Sequence, residues 1–67
     1  MALTKIIEVI GESNKSWEDA AKNAITDALP TVLGITGLHI KNLTATVNEK
    51  GEIVEYKANV NLAYVDK

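Results

Sequence analysis

Alternating apolar and polar residues mark the last quarter of the chain as a β-strand. Within residues 52–65, an apolar side chain recurs at every second position from 54 to 64, and charged or amide side chains alternate with them from 55 to 61. A period of two places the two sets on opposite faces, so one face packs on a core. The polar face meets solvent, the interior of an assembly or a polar interface. The apolar set is Val54, Tyr56, Ala58, Val60, Leu62 and Tyr64, and the polar set is Glu55, Lys57, Asn59 and Asn61.

A second strand with the same period is predicted over residues 36–48. Leu38 and Ile40 have one parity, whereas the apolar residues from position 43 onward have the other. A shift by one residue would turn the apolar set toward solvent unless the strand contains a β-bulge. We therefore predict one long, bent strand with a bulge at Lys41-Asn42. A hairpin turn over Glu49-Lys50-Gly51 joins it to the last strand.

The first part of the chain predicts a strand, a turn and the start of a helix. Residues 3–10 are rich in isoleucine and valine, and their apolar side chains occur at both parities. An edge strand with two apolar faces needs cover from another chain. Residues 11–15 have the composition of a turn. Ser16 is then a helix N-cap, because acidic Glu18 and Asp19 follow in the first turn.

The predicted helix after Ser16 has an apolar stripe made mostly of alanine, so it lies close to a sheet. Pro30 either ends this helix or kinks it. We favour a kinked helix that ends near Leu33, with Gly34 as the C′ residue. The predicted fold class is α+β: one domain over residues 1–67, of order β-α-β-β, whose three-stranded antiparallel sheet wraps around one helix. The stripe is Trp17, Ala20, Ala21, Ala24, Ile25, Ala28 and Leu29.

Length and composition exclude several classes of function. The 67 residues contain no cysteine and one histidine, so oligomerisation is the remaining way to stabilise so small a domain. The net charge is −2, and the seven basic residues are all lysine, which argues against nucleic-acid binding. No apolar run is long enough to span a membrane, and no signal-peptide pattern opens the chain. These features predict a cytoplasmic protein with no nucleic-acid or membrane partner.

Residues that could carry chemistry are few. Ser13 and Ser16 fit turn and cap positions, and Trp17 belongs to the apolar stripe. His39 alternates with apolar neighbours, points away from the core and has no partner to orient it as a base. We therefore predict no catalytic residue and no enzyme. The metal ligands, if any, stay unknown. The sequence offers two interpretations of a set of carboxylates: a solvated face, which is favoured, or ligands that join others across a symmetry axis to hold a cation such as calcium. The set is Glu49, Glu52, Glu55 and Asp66.

The order and spacing of these segments resemble those of the dodecins over nearly the whole length of the chain. The resemblance implies a β-α-β-β fold and a hollow homododecamer built from trimers. It also implies a flavin, FMN or riboflavin, bound between subunits for storage or protection rather than turnover. The matching segments are Val9-Ile10-Gly11, Ser16-Trp17-Glu18-Asp19-Ala20, the alanine-rich helix through Ala28, and Glu55-Tyr56 followed by Val60, Leu62 and Tyr64.

Two positions depart from the pattern of the flavin-binding dodecins. The tryptophan that stacks on the flavin ring in those proteins falls on Gly37, and the glutamine that bonds the ring edge falls on Lys57. Thr36 and Leu38 flank Gly37 and complete the candidate flavin site. By analogy with nucleobases, one lost stacking ring costs about 1–3 kcal/mol. Dodecin-like proteins without this tryptophan include a calcium-binding type. The alternative prediction is therefore a shell with a structural role or with bound calcium.

Overall fold

A computed structural model describes residues 3–66, with side chains over residues 3–65, and confirms the predicted β-α-β-β fold. Both strand pairs are antiparallel, and the sheet order β1-β3-β2 places the last strand at the centre. The helix packs on one face of the sheet, over β1 and β3. We call this face the helix side and the opposite one the outer face. The elements are β1 (Leu3–Ser13), α1 (Trp17–Ala28), β2 (Ile35–Val47) and β3 (Ile53–Asp66).

The core forms where the apolar positions of β3 meet the alanine stripe of α1. Val60 and Leu62 are fully buried, as is Ala58. Alanine side chains are short, so the helix backbone lies very close to the sheet. A Cβ added at Gly11 would lie 1.9 Å from the carbonyl oxygen of Ala20, which explains why glycine stands there. The buried helix residues are Ala20, Ala21, Ala24 and Ala28.

Strand β1 runs three residues beyond its predicted end at Ile10. From Gly11 to Ser13 it pairs with the stretch of β3 from Ala58 back to Tyr56. The predicted turn over residues 11–15 was therefore wrong for its first three positions. The central strand offers hydrogen-bonding partners along its full length, and the glycine serves helix packing instead of a turn.

The start of α1 is as predicted. The Oγ of Ser16 accepts a hydrogen bond from the amide of Asp19 at 3.0 Å, so Ser16 is the N-cap. The side chain of Asp19 makes a further hydrogen bond: its carboxylate accepts from the Oγ of buried Ser13, at 2.6 Å. That hydroxyl also accepts from the amide of Lys15. The two serines thus hold the corner between β1 and α1.

The helix ends at Ala28, so the predicted kinked helix to Leu33 was wrong. The amides of Thr31 and Val32 both donate to the carbonyl oxygen of Ala28, at 3.1 and 2.8 Å, and close a turn. Pro30 has no amide hydrogen and cannot extend the helical ladder. The chain therefore leaves the helix one turn earlier than expected.

Gly34 has a positive φ of +78°, but it does not cap the helix as predicted. It immediately precedes β2, and its carbonyl oxygen accepts a hydrogen bond from the amide of Val65 at 3.0 Å. The left-handed backbone at Gly34 turns the chain into the sheet, a conformation that glycine adopts without a Cβ penalty.

The bulge in β2 lies where it was predicted. Ile40 and Asn42 pair with consecutive residues of β3, Val60 and Asn59, which leaves Lys41 as the extra residue. The hairpin turn is also confirmed, with φ of +82° at Gly51. No helix within residues 3–66 has the length and hydropathy needed to cross a membrane.

Candidate functional site

The two family positions of the flavin site lie on the outer face, far apart along the β2–β3 ladder. Gly37 pairs with Ala63, and Thr44 pairs with Lys57. Ala63 and Lys57 are six residues apart on β3 (63 − 57), which is about 20 Å at a rise of about 3.3 Å per residue. Within one chain, the structure does not bring Gly37 and Lys57 together. A flavin-sized ligand that contacts both needs them from different subunits.

The surface at Gly37 is open. A Cβ added there would contact only the Cβ of Ala63, at 3.7 Å, so a methyl group fits without displacing the backbone. Thr36 beside it is exposed. Leu38 pairs with Leu62, and that pair lies on the helix side. Of the predicted site residues, Leu38 therefore belongs to the edge of the core.

The charge of Lys57 is balanced locally. Its Nζ lies 3.7 Å from an Oε of Glu55, the preceding outer-face residue of β3. Its partner across the β1–β3 ladder is another carboxylate residue, Glu12. Both members of the Lys57–Glu55 pair are more than a third exposed, so solvent screens the attraction. An anionic ligand at Lys57 would compete with Glu55 for the ammonium group.

Amide and imidazole groups occupy the centre of the outer face. His39 pairs with Asn61, and Asn42 pairs with Asn59. His39 is exposed and faces away from the core, as predicted. The Oδ1 of Asn59 is buried without a hydrogen-bond partner among the described residues.

An ion pair that the sequence did not indicate crosses this face. Lys41, the extra residue of the bulge, reaches over β3 and binds the carboxylate of Glu8 on β1. The bulge itself is the signal that could have found it, because an extra residue opposite one partner places a side chain on the outer face. Both side chains are exposed, so the pair adds little to stability.

The aromatic rings lie on the helix side. Trp17 contacts Tyr56 edge to face, with ring centroids 4.8 Å apart and planes at 79°. The indole Nε1 donates to the backbone carbonyl of Thr44 at 2.8 Å. Tyr64 has the same parity as Leu62 and shares its face. This confirms that Trp17 packs within the fold. Among residues 3–65, the outer face carries no aromatic ring besides the imidazole of His39, so a stacked flavin does not fit the residues of one chain.

Among the described residues, the carboxylates predicted for a cation, those of Glu49, Glu52 and Glu55, form no metal-binding group within one chain. In the described part of the chain, no three His, Cys, Asp or Glu side chains are grouped closely enough to hold a metal ion. Glu52 accepts a hydrogen bond from the Nδ2 of Asn48 beside the hairpin turn, and Glu55 contacts Lys57. The side chain of Asp66 lies outside the described residues. A cation site therefore needs ligands from several subunits.

Comparison with known proteins gives a consistent family. The dodecin family model matches residues 3–66. The structure of dodecin from Streptomyces davaonensis superposes with a TM-score of 0.92 at 15% identity, over 98% of this chain and 96% of that one. A variant of the Thermus thermophilus dodecin superposes with a TM-score of 0.91 at 22% identity, over 100% of this chain and 98% of that one. A calcium-chelating dodecin from Mycobacterium tuberculosis gives 0.82 at 28% identity, over 97% and 91%. No curated protein matches. The chain belongs to the dodecin family.

Proposed function

We propose that this dodecin assembles into a homododecamer built from trimers and holds a small ligand without chemical turnover. The observation that carries the proposal is the shape of the single chain. It measures 53 × 20 × 13 Å, with a radius of gyration of 13.7 Å. A compact domain of this length has a radius of about 11 Å. A chain this small and this elongated enlarges its buried core when it associates with other copies.

The buried interior supports the same proposal. Val60 and Leu62 are the largest fully buried side chains. The accessible surface is 4773 Å², whereas a monomeric protein of this mass exposes about 4,100 Å². A domain near 60 residues is marginal alone, and with no disulfide available, association is the remaining source of stability.

Native mass spectrometry of the purified protein tests the assembly. We expect a single species of twelve chains, together with trimers on partial dissociation. An absorbance spectrum of the same sample reports any flavin that is carried through purification. A species that stays monomeric at micromolar concentration would overturn the proposed function.

For the ligand, we propose FMN before riboflavin, held between subunits at Gly37, Thr36 and Lys57. A phosphate gives Lys57 a partner that competes with Glu55. Since Gly37 stands where the stacking tryptophan of the flavin-binding dodecins falls, we expect an affinity lower than that of a tryptophan-bearing site. Titration of each flavin with wild type and K57M, followed by flavin fluorescence, tests this. K57M removes the charge without adding an amide, so it should weaken FMN binding and leave riboflavin unchanged. Equal binding of both flavins by wild type would contradict the role of Lys57.

Calcium is the second candidate. The calcium-chelating dodecin of Mycobacterium tuberculosis is 28% identical to this chain, whereas the Streptomyces davaonensis and Thermus thermophilus dodecins are 15% and 22% identical. Glu49 and Glu52 are exposed at the hairpin end and supply oxygen ligands when copies meet. Calorimetric titration of the assembled, chelator-treated protein with calcium tests this, with the paired variant E49Q/E52Q as comparison. Equal heats for the two proteins would contradict a calcium site at the hairpin.

A further inference from the structure

Four hydrogen-bonding side chains lie together at the centre of the outer face. They occupy two successive outer-face rungs of the β2–β3 ladder, where His39 pairs with Asn61 and Asn42 pairs with Asn59. Within residues 3–65, no hydrogen bond joins any of these four side chains to another group of the chain. We call His39, Asn42, Asn59 and Asn61 the central patch. Its donors and acceptors are therefore available to a molecule that lies on the sheet.

Asn59 is the member of the central patch that most needs a partner. Its Oδ1 is buried and accepts no hydrogen bond from the described residues, although the residue as a whole is partly exposed. A buried acceptor without a donor costs free energy, which a hydrogen bond would recover. A half-turn of the carboxamide exchanges Oδ1 with Nδ2, so the same side chain can present its acceptor to a donor on the surface. A bound N–H group would supply that donor.

The charges that border the central patch favour an uncharged ligand. On one side, Lys41 reaches over β3 and binds the carboxylate of Glu8. On the other, the ammonium group of Lys57 lies 3.7 Å from the carboxylate of Glu55. Each cation thus has an anion beside it, and the four side chains between them bring amide and imidazole groups instead of further carboxylates or ammonium groups.

The size and chemistry of the central patch match the edge of a planar heterocycle. Side chains on one face of a strand are about 7 Å apart along it, and directly opposed residues are about 5 Å apart across a rung. The patch therefore has the dimensions of a single heterocyclic ring. A carboxamide presents a donor and an acceptor side by side, and it pairs with a ring edge that carries the complementary two groups. The imidazole of His39 adds a planar surface for stacking.

We propose that the central patch binds an uncharged planar heterocycle whose edge has a ring N–H beside a carbonyl group, and that Asn59 recognises the N–H. Cyclic imides and lactams, including the pyrimidine-dione edge of a flavin ring, have this edge. The inference rests on the ligand binding proposed above and adds the residues that select the ligand by its hydrogen-bonding edge. Asn59 and Lys57 are neighbours on the outer face of β3, so one ligand can contact both.

The test uses two flavins that differ in one N–H group. Lumiflavin carries a single N–H, at N3, and 3-methyllumiflavin has a methyl group there; neither has a phosphate that could bind Lys57. We expect wild type to quench and bind lumiflavin at least about fivefold more tightly, because a site built around a hydrogen bond rejects the analogue that lacks it. Asn59→Leu should remove this preference. Thr46→Val, on the same face opposite Glu55, is the matched control and should keep it.

Thermal melting of Asn59→Leu separates recognition from a structural role. Because the variant removes a buried acceptor that has no partner, its melting temperature should equal or exceed that of wild type. A clearly lower melting temperature would assign Asn59 to folding and overturn the inference. Equal affinity of wild type for the two flavins, or binding of neither, would also overturn it, since water then satisfies the patch. In those cases FMN binding that K57M weakens would leave the proposed function standing, whereas failure to bind FMN would contradict the proposed flavin site too.

Discussion

The indole Nε1 of Trp17 donates a hydrogen bond to the backbone carbonyl of Thr44, 2.8 Å away. This bond joins the first residue of α1 to β2, whereas the body of the helix packs over β1 and β3. The same ring packs edge to face on Tyr56 of the central strand. Trp17 therefore connects the helix to both strands of the long hairpin. From the sequence alone, Trp17 was predicted only as the first residue of the apolar stripe.

Replacing Trp17 with phenylalanine should keep most of the ring contact and remove the donor. We expect the free energy of unfolding to fall by about 0.5–1.5 kcal/mol for the lost hydrogen bond, plus a smaller loss in packing. Urea unfolding followed by circular dichroism at a fixed protein concentration measures the change. Tyr64→Phe, which leaves the indole in place, is the control. Equal midpoints for Trp17→Phe and wild type would mean that the bond to Thr44 contributes nothing.

Gly11 and Gly37 differ sharply in the room they leave for a methyl group. A Cβ at Gly11 meets the backbone of Ala20 at 1.9 Å, whereas a Cβ at Gly37 meets only a side chain at 3.7 Å. Gly11→Ala should force the helix away from β1 and cost about 1–3 kcal/mol or more. Gly37→Ala should stay within about 0.5 kcal/mol of wild type. Thermal melting of the two variants side by side checks this; a Gly11→Ala protein as stable as Gly37→Ala would contradict the close helix approach.

Ala24 tests the same contact from the helix. It is fully buried against the sheet. Ala24→Leu should overpack the interface and lower stability by about 1–3 kcal/mol. Lys22→Leu, on the exposed side of α1, is the matched control and should have little effect. An unchanged melting temperature for Ala24→Leu would show that the alanine face does not pack on the sheet.

Gly37→Trp should strengthen flavin binding. A Cβ at this position contacts only the Cβ of Ala63, and a stacking ring contributes about 1–3 kcal/mol. That corresponds to an affinity gain of about 5- to 150-fold. Quenching of FMN and riboflavin fluorescence on titration reports the gain. Gly37→Leu, which adds apolar area without a π face, is the control. If Gly37→Leu binds as well as Gly37→Trp, stacking is not the missing contribution.

The local pattern of apolar and polar residues was enough to predict much of the fold. The period of two in β3 identified its buried residues Ala58, Val60 and Leu62, and the parity change in β2 located the bulge at Lys41. Ser16 revealed the start of α1, because its side chain satisfies an amide three residues away. These features depend on neighbours close in sequence, so the residue types alone determine them.

Only the tertiary structure decided where elements stop and what they leave uncovered. The extension of β1 to Ser13 depends on a partner strand more than forty residues away in the sequence. Gly11 was predicted as a turn residue, and only the folded structure shows that it makes room for the helix backbone. Gly37 and Lys57 lie roughly 20 Å apart along the sheet because they pair at distant points of the β2–β3 ladder. Ile40 and Leu43 of β2 stay half exposed because α1 packs over β1 and β3. Strand order and helix placement are set by long-range packing, which the period of side chains along the sequence does not encode.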